Sequence, residues 1–263
     1  MCARSLDGGG ALKANTLVVV PTYNESENLA AIVAAIYVAL PDTALLIIDD
    51  GSPDGTGDLA DGLRARYATL DVMHRQGKLG LGTAYVEGFR YALQHDYDIV
   101  FEMDADFSHD PRYLPDLLGA VANADLVIGS RYVPGGQTPD WGFSRRLISG
   151  FGNVFARTIL RLPFRDCTAG FKCYRRAVVE AFDLDAIRLE GYAFQIETVY
   201  QAYRKGFRIV EVPIVFPDRK IGTSKMSRDI VAEAFTYVVR RRLGGGAHGG
   251  RRAPISHDEV VSS

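Results

Sequence analysis

Asp104 and Asp106 stand two residues apart where the apolar run Ile99-Val100-Phe101-Glu102-Met103 ends. Carboxylates at i and i+2, at the mouth of a buried strand, can share one hard cation. Mg²⁺ and Mn²⁺ take oxygen ligands and are often held by one or two carboxylates plus substrate phosphates. An isolated Asp-x-Asp is more often an acidic loop or a helix cap, so its company decides its meaning. A second acidic strand end, Asp49-Asp50-Gly51-Ser52-Pro53-Asp54-Gly55-Thr56, has turn chemistry and also acids that suit a ribose or a base edge. Pro21-Thr22-Tyr23-Asn24-Glu25 follows the first apolar run. Thr22 and Asn24 are candidate N-caps, while Tyr23 offers a ring to a nucleobase and Glu25 an acceptor to a ribose or base. Gly77, Gly80 and Gly82 fit no dinucleotide fingerprint, since Tyr85 holds the third glycine position, and Lys78 lacks the Ser/Thr of a phosphate-binding P-loop. Close backbone packing is their expected use.

These residues need a scaffold. Apolar runs at 17–20, 45–48, 70–74, 99–103 and 126–129 read as strands. Helical patterns lie between them at 25–40, about 58–67, from the glycines to about 94, and from near Pro111. Strands alternating with helices predict an α/β fold with a parallel, doubly wound sheet, and such sheets bind ligands beyond the carboxyl ends of their strands. Asp49, Asp50, Asp104 and Asp106 all fall there. After Arg131 the pattern changes. Residues 134–141 read as a loop, 144–162, 193–205 and 229–243 as helices, and 171–174 and 209–216 as strands. From Gly244 onward the chain is Gly-rich and then polar, and is expected to be disordered.

With 263 residues, 47% hydrophobic and 24% charged, the chain has the composition of a globular protein with a real core. A net charge of −2 gives no electrostatic footprint for nucleic acid. Three cysteines, Cys2, Cys167 and Cys173, form no disulfide framework or zinc spacing and suggest a reducing compartment. No apolar signal segment precedes Leu17. The longest apolar run, residues 29–40, is twelve long, too short for a bilayer core of about 30 Å. Residues 229–243 place Ile230, Val231, Ala234, Phe235, Val238 and Val239 near one face, ahead of Arg240-Arg241-Arg242. That pattern serves an interfacial helix with a polybasic end, or a core-packed helix with a cationic C-terminus.

Taken together, 21–25, 49–56, 77–82 and 104–106 resemble family 2 glycosyltransferases with a GT-A fold: a doubly wound, mainly parallel sheet with helices on both faces. Within that family the chain is similar to the polyprenyl-phosphate (dolichyl-phosphate) mannose synthases. The narrower likeness rests on the segments 103–109, 129–132, 145–149, 166–172, 190–197 and 219–225, and it covers roughly 17–243. The resemblance implies a flexible N-terminus over 1–15, one catalytic domain over 16–243 and a tail over 244–263. The domain would have a nucleotide-sugar half to about 131 and an acceptor half from about 132.

The resemblance also implies an inverting transfer of mannose from GDP-mannose to a polyprenyl phosphate, giving a β-linked product. Asp104, Asp106 and Arg131 match the catalytic set. Mg²⁺ or Mn²⁺ would lie on Asp104 and Asp106, with Ser108 at a third ligand position where relatives can carry Gln. Pro21, Tyr23, Glu25, Ile47 and Asp49 match guanosine contacts. Ala105, Arg131 and Arg219 match other donor contacts, and Lys225 lies near the diphosphate. Arg145 and Arg146, with Ser149, are candidates for the acceptor phosphate, although arginines opening a helix also serve as plain surface residues. Many relatives that activate a hydroxyl carry a Glu-Asp base where this chain has Phe194-Gln195-Ile196-Glu197. A phosphate dianion needs no strong base. The expected setting is cytoplasmic and peripheral at the inner membrane face, directly or through a membrane-anchored partner. A UDP-sugar transferase using the same lipid, and a nucleotide-binding regulatory scaffold, are the alternatives.

Overall fold

In the computed structural model, residues 15–218 and 228–244 are described. Seven strands form one sheet: β1 (Thr16–Thr22), β2 (Ala44–Asp49), β3 (Leu70–His74), β4 (Ile99–Glu102), β5 (Leu126–Ser130), β6 (Lys172–Arg175) and β7 (Ile209–Pro213). Their spatial order is β3-β2-β1-β4-β6-β5-β7. β1 pairs in parallel with β2 and β4, β2 with β3, and β5 with β7, while β6 runs antiparallel to β4 and β5.

The helices are α1 (Ser26–Ala39), α2 (Thr56–Arg64), α3 (Leu81–Gln94), α4 (Leu114–Ala120), α5 (Phe143–Leu160), α6 (Arg176–Glu180), α7 (Gly191–Arg204) and α8 (Arg228–Gly244). The helix expected from Pro111 opens with a 3₁₀ turn, Pro111–Tyr113, capped by Asp110, before α4. The central strands carry apolar residues on both faces, as a sheet covered on both sides requires. Leu17 and Val19 join a core with α3, α5 and α7, while Val18 and Val20 join one with α1, α2 and α4.

Two sequence expectations need sharpening. The run 209–216 leaves the sheet after Pro213, and only an isolated bridge, Gln137 to Val215, continues it. In 229–243 part of the apolar face packs on the protein, while Phe235 and Leu243 stay 51% and 80% exposed. Val238 is buried, Phe235 stacks on Phe155 at 4.3 Å, and Tyr237 and Arg241 reach Glu197 of α7. Exposed apolar residues are concentrated on α5: Phe143, Leu147, Ile148, Phe151 and Val154. Among the described residues no helix is long and apolar enough to cross a membrane.

Candidate active site

Asp49 ends β2 opposite Thr22 of β1. Its buried carboxylate accepts from Thr22 Oγ1 (3.3 Å), Ser52 N (3.1 Å) and Ser52 Oγ (2.5 Å). Thr22 is therefore spent on Asp49 and does not cap α1. The cap comes from the neighbouring loop, where Asp54 accepts from Ser26 N (3.1 Å) and from Thr56 N and Oγ1. Burial pushes the Asp54 carboxyl up, but these donors outweigh it and hold the pKa at about 2. Asn24 takes a left-handed φ of 57°, and its N–H donates to Ser52 Oγ. Tyr23 beside it has the Lys78 ammonium 4.7 Å from its ring centroid. Pro21, Tyr23, Glu25, Ile47 and Asp49 thus gather at the ends of β1 and β2, with Ile47 buried in the sheet.

Asp50 does different work. It pairs with buried Arg75 at 2.6 Å and accepts from Leu79 N and Gly80 N, both at 3.1 Å. Glu190 accepts from Gly82 N at 3.0 Å. Carboxylates hold these N–H groups at the start of α3, and the expected close backbone packing is seen at Gly82 but not at Gly77 or Gly80. A Cβ on Gly82 would lie 2.0 Å from the Leu189 carbonyl oxygen. Arg75, the clamp of this loop, had no signal in the sequence beyond its place after a strand.

The acidic turn follows β4. Asp104 N–H donates to His109 Nδ1 (2.9 Å), which makes His109 a brace of the turn, stacked on Phe171. The Asp104 carboxylate, 26% exposed, accepts from Tyr85 OH at 3.1 Å. Asp106 is buried, and its Oδ1 accepts from Ser108 N (3.0 Å) and Ser108 Oγ (2.5 Å). Phe107 between them has φ 61°, a left-handed conformation that a bulky residue rarely takes. Behind the turn lies a wholly buried polar cluster. Glu102 accepts from Tyr174 OH at 2.9 Å, and Lys172 lies 3.8 Å away, donating to Thr198 Oγ1 and the Gln195 carbonyl. Burial pushes the Glu102 carboxyl up to about 7 and the Lys172 ammonium down to about 8.

A hard divalent cation fits this donor set. Asp104, Ala105 and Asp106 put two carboxylates on one tight turn, and Ser108 adds a third oxygen. No group of three or more His, Cys, Asp or Glu able to hold a metal occurs among the described residues. The remaining ligands would therefore come from a bound substrate. The Ser108 hydroxyl already donates to Asp106, so its present part is to hold the turn.

Arg131 follows β5 and is buried. Its Nε and Nη2 donate to Asp166 at 2.8 and 2.7 Å, its backbone N–H reaches the same carboxylate, and Nη2 also reaches Thr168 Oγ1. Burial works against the cation, but Asp166 more than compensates and raises its pKa. The two acceptor candidates point apart. Arg145 donates to Asp218 and lies over Trp141, whereas exposed Arg146 donates to the Thr138 carbonyl (2.9 Å). Ser149 Oγ accepts from Tyr132 OH at 2.8 Å. Arg219 and Lys225 lie outside the described residues. Between α5, α7 and α8 runs an apolar cavity of about 430 Å³, lined by Ile148, Phe151, Phe155, Ile196 and Phe235 with Ser149 and Thr168. Asp166 and Trp141, unassigned from sequence, stand out only once folded.

A family model described as glycosyl transferase family 2 matches residues 17–182, more than half of the chain. The chain belongs to this family. Over 224 residues it is 50% identical to the undecaprenyl-phosphate mannosyltransferase of Micrococcus luteus, spanning 85% of this chain and 92% of that one. It is 48% identical over 232 residues to the polyprenol monophosphomannose synthase of Mycolicibacterium smegmatis, spanning 88% of each. Among solved structures, glucosyl-3-phosphoglycerate synthase from Mycobacterium tuberculosis, in complex with Mn²⁺, UDP and glucosyl-3-phosphoglycerate, superposes with a TM-score of 0.62. That match covers 88% of this chain and 81% of the other at 18% identity, and it shows the shared GT-A fold. This family 2 glycosyltransferase has its acidic turn and its acid-ended β2 at the carboxyl ends of parallel strands on either side of β1.

Proposed function

We propose that this glycosyltransferase moves mannose from GDP-mannose to a polyprenyl phosphate, with inversion and with a divalent cation on Asp104 and Asp106. The two relatives near half identity carry names that state a polyprenyl-phosphate mannosyl transfer. The observation that carries the lipid part is the apolar cavity. Of its hydroxyl-bearing lining residues, Ser149, Thr168 and Tyr192, the first two bond Tyr132 and Arg131. An isoprenoid tail laid along the cavity brings its phosphate to the polar end.

Each group then has a chemical task. The cation, when bound, supplies positive charge against the nucleoside diphosphate leaving group. Asp104 and Asp106 hold that ion through oxygen, Tyr23 and Asp49 meet the nucleoside, and Arg131 faces the donor from its Asp166 clamp. Arg219 and Lys225 complete the donor contacts. Arg145 holds the acceptor phosphate without protonating it, and Arg146 joins it on leaving the Thr138 carbonyl. A phosphate monoester has its second pKa at about 6, so the nucleophile is ready at neutral pH and no carboxylate base is needed. Glu197 fits that economy, being engaged with Gln201, Tyr237 and Arg241. The exposed apolar residues of α5, flanking Arg145 and Arg146, give the enzyme a face for the membrane surface at the cytoplasmic side, with or without a membrane-anchored partner.

A donor panel tests the reading. Purified enzyme, undecaprenyl phosphate and Mg²⁺ or Mn²⁺ are incubated with radiolabelled GDP-mannose, GDP-glucose, UDP-glucose or UDP-N-acetylglucosamine, one at a time. Label should pass to lipid from GDP-mannose alone. Transfer only from a UDP-sugar, or none at all, defeats the assignment.

A further inference from the structure

We propose that Trp141 is a positioning residue of the acceptor site: the plate that fixes the Arg145 guanidinium relative to Arg131. This rests on the reading of Arg145 as a ligand of the acceptor phosphate. Trp141 is the one tryptophan of the chain. It sits in the connection between β5 and α5, and its side chain is 5% exposed. The Arg145 guanidinium carbon lies 4.2 Å from the ring centroid, and that of Arg131 lies 5.7 Å away. Phe216 closes the ring edge-on, with centroids 5.6 Å apart and planes at 88°.

The indole Nε1–H is buried and has no hydrogen-bond partner among the described residues. A fold that needed only apolar filling here would do better with Phe or Leu, because a buried donor without an acceptor destabilises the folded chain. What an indole adds is the best aromatic face for a cation. A guanidinium stacked on a ring keeps its N–H donors in its own plane, so the stack leaves the fork available to an anion. One end of that fork already holds Asp218.

Arg131 is fixed independently, by the two bonds to Asp166. The two cations assigned to donor and acceptor therefore meet at one ring, which Arg131 faces together with Tyr132 and Phe216, each 5.3 Å away. The position of Trp141 sets their separation, and with it the distance between the sugar and the attacking phosphate. Orientation of this kind acts on the bound acceptor and not on the affinity for nucleotide.

The test uses the full chain with Trp141→Leu, Trp141→Phe, Arg145→Ala and the double variant Trp141→Leu/Arg145→Ala. Steady-state kinetics in undecaprenyl phosphate are set beside calorimetric GDP binding with Mn²⁺. Trp141→Leu should raise the acceptor KM about tenfold, leave GDP affinity within about twofold, and cost nothing further once Arg145 is alanine. Trp141→Phe, which keeps a plate, should recover most of the loss. In the wild type, the emission of this one tryptophan should respond to undecaprenyl phosphate and not to GDP, a readout that needs no substitution. Equal losses from Trp141→Leu with and without Arg145, a fall in GDP affinity in step with acceptor use, or emission blind to the lipid overturns the proposal. If Arg145→Ala itself leaves the acceptor KM unchanged, the acceptor reading fails first and takes this inference with it.

Discussion

Asp104 and Asp106 are spaced as a pair, but they do unequal work. Asp106 is buried and spends one oxygen on Ser108, while Asp104 is partly exposed and bonded to Tyr85. Asp104→Asn keeps the Tyr85 hydrogen bond and loses only charge. It should lower metal-dependent transfer by about 10²-fold or more while the denaturant midpoint hardly moves. Asp106→Asn should lose as much activity and also about 1 kcal/mol of stability, through its weakened bond to Ser108. Near wild-type turnover in Asp104→Asn removes the metal assignment. Glu102 behind the turn gives a pH prediction. Burial raises its folded pKa to about 7 from an ordinary value of 4.5. A raised folded pKa means that the native state binds the extra proton between those values. The stability Glu102 contributes is therefore full below about pH 4.5 and is lost as pH rises through about 7. Urea midpoints measured at pH 5 and pH 7.5 should fall across that window, and Glu102→Gln should flatten the fall. An unchanged slope in Glu102→Gln means that other groups set it.

Elements were legible where period and punctuation agreed. The run 70–74 is β3 as read, and of the glycines at 77–82 Gly82 packs against the Leu189 backbone as expected, whereas Gly80 faces the Glu190 carboxylate and a Cβ on Gly77 would meet nothing. Helix α8 shows where reading one element stops. Its apolar face and terminal arginines are the same whether lipid or protein covers it, and only the folded chain shows that α5 and α7 cover part of that face. The converse holds for α5, whose pattern read as an ordinary helix although Phe143, Leu147 and Phe151 are 82%, 61% and 66% exposed. These residues recur at four-residue spacing on one stripe beside Arg145 and Arg146. An amphipathic stripe with flanking cations is suited to an anionic lipid surface. Leu147→Asp/Phe151→Asp should cut co-sedimentation with phosphatidylglycerol vesicles by about tenfold or more, with GDP binding intact. Unchanged sedimentation assigns the stripe to a protein partner.

At the scale of the whole molecule, the first 130 residues announced a parallel α/β sheet, because buried strands and amphipathic helices alternate there. The later topology was silent. Nothing in a period-two run says that β6 inserts antiparallel between β4 and β5, so one sheet carries strands from both the first 130 residues and the later part of the chain. That insertion brings Lys172 beneath Glu102, and the chain before it brings Asp166 to Arg131, which explains why these partners were invisible in sequence. A shared sheet also makes ligand binding a property of the global fold. Two carboxylates alone hold a divalent ion weakly, and a diphosphate alone meets an acidic turn that repels it. Each should need the other. A ligand at 100 times its dissociation constant stabilises by about 2.7 kcal/mol, and for a domain of this size each kcal/mol is worth about 2–4 °C. GDP alone and Mn²⁺ alone should each move the thermal midpoint by less than about 2 °C. Together, in the excess named, they should move it by about 5–10 °C, and EDTA should return it to the apo value. Alanine at both Asp104 and Asp106 should abolish the joint shift and lower the apo midpoint by about 2–4 °C, because the buried Asp106–Ser108 bonds go with it. A full GDP shift in the presence of EDTA means that the nucleotide is held without the metal, by the Tyr23–Asp49 side alone.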